Sequence, residues 1–285
     1  MSEYVVLLGT KGGPAIRQGS TMPTSNLVVM NGRQIVVDCG LGVTRALTNH
    51  GFALKDLELI FITHLHSDHY LELGPLIHTA WTAGLKTSVD IWGPAGLQEY
   101  WDNFVIAMRD DIDIRITDEG RPDLRALVRF HQLDEGSIKA SKDIEIRALR
   151  VAHPPLTDCF SLSFQSPLHR VVFSADTTYF PPLAEFAKGA DLLVHEAMLE
   201  AALEPLLKRV GNGDDRLMHH WLRSHTLASD AAKMATSAGV KALAFTHLIP
   251  SDDPDFGEAE WREAVDPYWD GAFHLGTDGL VIELI

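Results

Sequence analysis

Short apolar runs alternate along the chain with longer segments in which apolar residues recur every three or four positions. The short runs predict buried strands, and the longer segments predict amphipathic helices. The predicted strands are residues 4–8, 26–30, 34–38, 59–62, 89–92, 144–149, 161–164, 171–174, 192–195, 242–246 and 279–284. The predicted helices are residues 71–83, 94–107, 183–188, 196–209, 227–238 and 258–265. Strands interleaved with helices indicate a layered α/β protein.

The segment 227–238 shows the helical pattern clearly. One face collects its apolar side chains, which are Leu227, Ala231, Ala232 and Ala235. Thr226 can cap the start of this helix and Gly239 can end it. Because no stretch rich in proline, glycine and serine divides the chain, we expect a single domain over residues 1–285.

Composition limits the partners and the compartment. The formal net charge is −15, and Lys and Arg are dispersed, so a long nucleic-acid partner is unlikely. The start lacks a basic region and no apolar run is long enough for a membrane span, so we expect no membrane association and a cytoplasmic location. Cys39 and Cys159 lie far apart in sequence and suit a reducing compartment.

The densest chemical signal follows the strand predicted at 59–62. Three imidazoles and a carboxylate fall within six residues, namely His64, His66, Asp68 and His69. Neutral imidazole and carboxylate are ligands for zinc and similar divalent ions. The spacing therefore predicts a metal site.

Three further residues of ligand type stand where predicted strands end. His153 follows 144–149, Asp176 follows 171–174, and His247 follows 242–246. Such strand ends are where α/β sheets usually carry their sites. A single Asp after a strand is often only a turn residue, but together with the first cluster these residues indicate one multi-stranded metal centre.

In these motifs the sequence resembles the metallo-β-lactamase-fold hydrolases. The similarity covers nearly the whole chain, and the segments that carry it are Gly9-Thr10-Lys11-Gly12-Gly13-Pro14, Val37-Asp38-Cys39-Gly40, the run from His64 to His69, and Thr246-His247. The resemblance implies a four-layer αββα sandwich and a centre with two divalent ions, Zn²⁺ first, with Mn²⁺ or Fe²⁺ also suitable. It implies hydrolysis by a hydroxide held between the two ions.

The resemblance also implies roles for individual residues. One metal would take His64, His66 and His153, and the other would take Asp68, His69 and His247. Asp176 would bridge the two ions. Asp68 could in addition orient the attacking hydroxide as a general base.

Two motifs in the second half resemble the ribonuclease Z-like branch. They are Val194-His195-Glu196-Ala197-Met198 and His225-Thr226. By this resemblance Glu196 would orient His225, which would donate a proton or hold developing negative charge. Two plainer interpretations stay open: Glu196 as a first-turn acid of a helix, and His225 as a solvated residue.

The expected substrate is a small-molecule ester. Ribonucleases of this branch carry a flexible basic arm, whereas residues 108–115 here are acidic, and Met198 stands where the motif has threonine. The layout therefore resembles the arylsulfatase-like and esterase members, acting on a sulfate, phosphate, carboxylate or lactone. The alternatives are a ribonuclease Z-like endonuclease acting on the 3′ end of transfer RNA, a phosphodiesterase, or a member that binds without turnover.

Substrate specificity is expected to come from residues 96–143 and 198–224 and the loop 249–254. Five apolar side chains could surround the leaving group, namely Trp101, Phe104, Met108, Met198 and Trp221. Whether His219 and His220 line the pocket stays open. Members of this branch are often dimers, so a homodimer is possible.

Overall fold

The computed structural model describes residues 2–285, which form two seven-stranded mixed sheets with helices packed outside them. The strands are β1 (Tyr4–Gly9), β2 (Ser25–Met30), β3 (Arg33–Cys39), β4 (Leu59–Phe61), β5 (Val89–Gly93), β6 (Val128–Gln132), β7 (Gly136–Ile138), β8 (Glu145–Arg150), β9 (Phe160–Gln165), β10 (Arg170–Phe173), β11 (Leu192–Met198), β12 (Ala242–Ile249), β13 (Ala272–Leu275) and β14 (Leu280–Glu283). The helices are α1 (Val43–Asn49), α2 (Ser67–Tyr70), α3 (Leu73–Thr82), α4 (Leu97–Ala107), α5 (Arg109–Glu119), α6 (Pro182–Phe186), α7 (Glu200–Val210), α8 (Arg216–Ser224), α9 (Ala228–Ala238) and α10 (Glu258–Val265).

The two sheets have parallel and antiparallel parts. The first sheet has the strand order β14-β1-β2-β3-β4-β5-β6, and the second has the order β13-β12-β11-β10-β9-β8-β7. The strands β3 to β6 are parallel to one another, and so are β10 to β13. Parallel neighbours end at the same edge of a sheet, so the loops that follow them gather there.

Side chains alternate between two cores along each strand. In β1, Val5 and Leu7 pack into the layer between the sheets, where they belong to one cluster with Phe164 and Val171 of the second sheet. The intervening residues of β1 pack instead against the helices α1, α3 and α4. A third cluster joins the outer face of the second sheet to α6, α9 and α10. Burial on both faces of both sheets gives the αββα sandwich, and the predicted fold class is confirmed.

Most predicted elements are present, and the differences have physical reasons. The helix predicted from residue 196 begins at Glu200, because Glu196–Met198 extend β11 and pair with β12 in the middle of the sheet. Thr226 does not cap α9, since its hydroxyl donates to the Thr177 carbonyl oxygen at 2.6 Å. The strands β6, β7 and β13 and the helices α1, α2, α5 and α8 were not among the predicted elements.

No helix among residues 2–285 is long and apolar enough to cross a membrane. The prediction of one domain over the whole chain stays a prediction.

Candidate metal centre

All seven predicted ligand residues meet at one edge of the sandwich. Within each of two groups the possible ligand atoms lie no more than 4.8 Å apart. The first group is His64, His66, His153 and Asp176, and the second is Asp68, His69 and His247. All seven side chains are buried except that of His66, which is half-buried.

Asp176 lies between the two groups. Its Oδ2 atom is 3.5 Å from His64 Nε2, 3.4 Å from His69 Nε2 and 3.0 Å from His247 Nε2. Burial alone would raise the pKa of this carboxyl, yet the surrounding imidazoles hold it well below its usual range. A carboxylate oxygen that faces several ring nitrogens at these distances is placed as a bridging ligand would be.

The donor set fits divalent metal. His64 Nε2, His69 Nε2 and Asp176 Oδ2 are buried and have no hydrogen-bond partner among the described residues. Buried polar atoms are normally paired, so an unpaired group that converges on one point needs an explanation. Imidazole nitrogen with carboxylate oxygen is the ligand chemistry of zinc and related ions.

Hydrogen bonds on the far side of the rings orient these ligands. The Nδ1–H of His69 donates to Asp38 Oδ2 at 2.8 Å, and the Nδ1–H of His153 donates to the Ser224 carbonyl oxygen at 2.7 Å. His64 Nδ1 contacts the Thr63 hydroxyl at 3.1 Å, and that hydroxyl is bonded to Asp38. The Nε2 lone pairs are thereby left facing the centre. Asp38 was missed as a site residue, although it is a polar residue near the end of the apolar strand β3, just as Asp176 lies beyond the end of β10.

His153, which follows β8, and His247, which lies inside β12, have opposite electrostatic surroundings. Burial lowers the pKa of His153 to about 4. Burial also disfavours the charged form of His247, but the nearby charge of Asp176 and the hydrogen bond to Asp68 raise the pKa of His247 to about 10. The same carboxylates also raise the pKa of His69 well above its usual range, so both imidazoles beside Asp176 and Asp68 favour the charged form.

Left-handed backbone conformations occur within or just after three of the strands that carry the site. Asp38, Ala175 and His247 have φ values of 63°, 56° and 47°. Residues other than glycine rarely adopt this conformation. His247 also falls at a bulge, because Glu196 pairs with Thr246 while Ala197 pairs with Leu248. The bulge turns the His247 ring towards the centre.

Glu196 and His225 form a buried pair beside the candidate metal ligands. The Nδ1–H of His225 donates to Glu196 Oε2 at 3.0 Å, and Glu196 Oε1 accepts a bond from the backbone N–H of Thr177 at 2.8 Å. Neither plainer interpretation holds, because Glu196 lies inside β11 rather than in a helix and both side chains are buried. His225 is also close enough to Asp176 and His247 to share a metal with them.

A cavity of about 410 Å³ opens over the centre. Its apolar wall consists of Leu206, Val210, Leu217, Trp221 and Ile249. His220 also lines it, whereas His219 is exposed and faces Asp215.

Four of the five apolar side chains expected around the leaving group are not at the cavity. Trp101, Phe104 and Met108 pack into the helical layer over the first sheet. Met198 is buried in one hydrophobic cluster with Trp221. The sequence pattern showed that these residues are apolar, but not which layer they enter.

Two cations at the cavity were not singled out from the sequence. Lys11 and Arg17 line it together with the turn Gly12-Gly13. The backbone N–H of Gly13 donates to Asp68 Oδ2 at 2.8 Å. A lysine inside a glycine-rich segment at the end of an apolar strand is the signal that could have drawn attention to them.

Comparisons with known proteins agree on the family. The family model for Anti-Pycsar protein Apyc1 matches residues 4–208. The chain is 31% identical over 278 residues to a ribonuclease Z of Mycobacterium sp. (strain KMS), covering 96% of this chain and 93% of the relative.

Solved structures of low sequence identity share the fold. The metallo-β-lactamase fold protein YhfI from Bacillus subtilis superposes with a TM-score of 0.71 at 22% identity, over 99% of this chain and 100% of that one. The short form of human tRNase Z gives a TM-score of 0.68 at 20% identity, over 99% of both chains. The resemblance found in the sequence is thus confirmed. The chain belongs to the family of the Anti-Pycsar protein Apyc1 model, and it is a metal-dependent hydrolase of ester bonds in the ribonuclease Z-like branch of the metallo-β-lactamase fold.

Proposed function

We propose that this chain is a metal-dependent phosphodiesterase. The observation that carries the proposal is the buried Glu196–His225 pair, which lies at the cavity beside both groups of ligand residues. Sequence similarity to a ribonuclease Z supports a phosphodiester substrate over the sulfate and carboxylate esters that we also expected from the sequence. The cations Lys11 and Arg17 at the same cavity favour an anionic substrate.

The proposed ligand sets are those expected from the sequence. His64, His66 and His153 would hold one ion, Asp68, His69 and His247 would hold the other, and Asp176 would contact both. Zn²⁺ is the ion we propose, and Mn²⁺ or Fe²⁺ also accept this donor set. When bound, the pair of ions would supply Lewis acidity at the phosphoryl group and lower the pKa of the attacking water.

The side chains of the protein would supply the proton transfers and the contacts to the leaving group. Asp68, held by the Gly13 N–H, can accept the proton of the attacking water. Glu196 keeps the Nδ1–H of His225 engaged, so the opposite ring nitrogen faces the cavity and can carry a proton to the leaving oxygen. The apolar wall around Leu217 and Trp221 can contact the leaving group.

The test compares bond classes in one assay. Metal-loaded protein is offered bis(p-nitrophenyl) phosphate, p-nitrophenyl sulfate and p-nitrophenyl acetate, beside the Asp176→Ala variant. We expect the phosphodiester to be cleaved fastest and that rate to be lost in the variant. Faster cleavage of the sulfate or the acetate, lost in the variant, would contradict the proposal.

A second candidate is endonucleolytic processing of transfer RNA. The relative named ribonuclease Z favours it and weakens our expectation that nucleic acid is an unlikely partner. The net charge of −15 and the acidic exposed helix α5 stand against it. Adding a precursor transfer RNA to the same assay decides between the two, because only the second candidate predicts cleavage at its 3′ side.

A further inference from the structure

Lys11 is a buried cation without an ion-pair partner. Its side chain is almost fully buried, and the residue is only 5% exposed. The ammonium makes one hydrogen bond, to the Gly12 carbonyl oxygen at 2.9 Å, and no carboxylate of residues 2–285 lies within 4.0 Å of it. An ammonium has three donors and is strongly disfavoured when buried unpaired, so the position is not explained by stability.

The surrounding charges do not neutralise Lys11. Asp252 and Asp68 act on it only from beyond ion-pair distance. Asp252 is already engaged by Arg17 at 3.3 Å and by Arg209 at 3.0 Å. Burial accordingly lowers the pKa of the Lys11 ammonium. No described side chain neutralises the Lys11 ammonium, and an anion bound beside it would favour its charged form.

The position of Lys11 connects it to the candidate metal centre. One cavity is lined by Lys11 and Arg17 and, at the metal end, by His66, Asp68 and Asp176. A substrate whose cleaved phosphate sits among the metal ligands would therefore extend towards Lys11 or towards the apolar wall. Arg17 is partly exposed and bonds Asp252 through Nη1 alone, so other donors of its guanidinium are available.

We propose that Lys11, with Arg17, forms a second anion-binding site that holds a phosphate group of the substrate other than the one that is cleaved. This inference rests on the proposed phosphodiesterase function and narrows its substrate class. The substrate would carry an additional phosphate, either the next phosphate of a nucleic-acid backbone or a terminal phosphate of a small nucleotide. A charge-assisted hydrogen bond from Lys11 to this additional phosphate, in a desolvated cavity, would increase substrate affinity and position the cleaved phosphate at the centre.

The test measures binding, not turnover. Isothermal titration calorimetry on the metal-loaded protein compares thymidine 5′-phosphate with thymidine 3′,5′-bisphosphate and with thymidine 5′-phosphate carrying a 3′-methyl phosphate. We expect at least one doubly phosphorylated probe to bind about tenfold more tightly than the monophosphate. Lys11→Met should remove most of that preference. The control Lys208→Met changes an exposed lysine outside the cavity and should keep it.

Each outcome has one meaning. A preference for the bisphosphate that depends on Lys11 supports the site and indicates a small nucleotide, whereas a preference for the methyl diester supports it and indicates a backbone phosphate. No preference in the wild type, or a preference that Lys11→Met leaves intact, overturns the inference. If Lys11→Met does not fold, as judged by its melting temperature, Arg17→Gln provides the same comparison.

The two proposals can fail separately. If no phosphodiester is hydrolysed but the second phosphate is bound through Lys11, the proposed reaction is wrong and the anion site stands. If phosphodiesters are hydrolysed but the probes bind equally, the reaction stands and the anion site is wrong.

Discussion

At the scale of single residues, the centre depends on carboxylates that hold imidazoles in one orientation. Glu196 does this for His225 and Asp38 does it for His69. In both pairs the carboxylate takes the Nδ1–H and leaves the opposite nitrogen facing the cavity or the ligand groups. Substitutions in the two pairs should have different effects. The Glu196–His225 pair is proposed to move a proton, so its loss should lower the rate. The Asp38–His69 pair is proposed to orient a ligand, so its loss should lower metal affinity.

Replacing His225 should reduce the rate and leave the metal in place. For His225→Ala we expect kcat to fall by about 10²–10⁴-fold, the range for loss of a general acid. Glu196→Gln should reduce kcat less, because the imidazole stays present. Steady-state kinetics with elemental analysis of the purified proteins measures both quantities. Loss of metal from His225→Ala would instead identify His225 as a ligand, as its proximity to Asp176 and His247 allows.

Replacing Asp38 should weaken the metal site itself. Asp38→Asn is expected to lower metal affinity about 10–100-fold, because His69 loses the partner that sets its tautomer. Titration against a metal-binding dye measures the change. Asp90→Asn is a matched control, since Asp90 also contacts a histidine, His131 at 2.7 Å, but lies away from the ligand groups. Equal affinities for both variants would contradict the role of Asp38.

At the scale of elements, the end of β1 and the end of β12 are joined next to the centre. The backbone N–H of Leu248 donates to the Thr10 carbonyl oxygen at 2.7 Å, and that of Gly12 donates to the Leu248 carbonyl oxygen at 3.1 Å. These two hydrogen bonds connect the two sheets and place the Gly12 backbone next to the His247 ring. Only a residue without a side chain fits there.

The Gly12→Ala substitution should therefore displace the His247 side chain and weaken the candidate metal centre. A Cβ atom at this position would lie 2.6 Å from Ile249 Cγ1 and 3.0 Å from the His247 ring. We expect destabilisation by about 1–3 kcal/mol, as for other overpacked sites, together with weaker metal binding. Chemical denaturation and the dye titration measure these. Gly257→Ala is the control, because its nearest contact would be Glu260 Oε2 at 3.7 Å. Unchanged metal affinity in Gly12→Ala would show that His247 accommodates the added methyl group.

At the scale of the whole molecule, a buried carboxylate links the sheets at the end away from the centre. Glu3 precedes β1 and accepts hydrogen bonds from Asn31 N at 2.8 Å, Ser166 Oγ at 2.8 Å and His169 Nδ1 at 2.9 Å. Burial alone would raise the pKa of Glu3, but these bonds and the His169 charge lower it below its ordinary value of 4.5.

The lowered pKa gives Glu3 a stabilising role that acid removes. Its contribution is present in full above about pH 4.5 and is lost as the pH falls through the lower folded value. The free energy of unfolding of Glu3→Gln should thus lie below that of the wild type near neutral pH, with a gap that narrows in acid. Urea denaturation of both metal-free proteins between about pH 6 and pH 3 measures the gap. A gap that widens in acid would contradict the sign.

The sequence was most informative where one polar residue interrupts or ends an apolar strand. His64, His153, Asp176 and His247 could be found in this way, because a buried strand leaves few reasons for a polar side chain at its end. Asp38 is likewise a polar residue near the end of an apolar strand. Lys11 did not stand out, since lysine in a glycine-rich turn is ordinarily solvated. Only the folded structure buries it, at a cavity that Arg17, Ile249 and Asp252 also line.

By itself the sequence determined the α/β class, the strands of both sheets that carry the site, and the residue types that bind metal, because periodicity and ligand chemistry are local properties. The tertiary structure decided which side chains share a cavity. It placed Trp221 and His220 over the centre and sent Trp101, Phe104 and Met108 into the helical layer. It also left Lys11 without an ion-pair partner at the cavity of the candidate metal centre. These outcomes depend on how segments far apart in sequence pack together. The local sequence around an apolar or charged residue does not specify which distant segment it will contact.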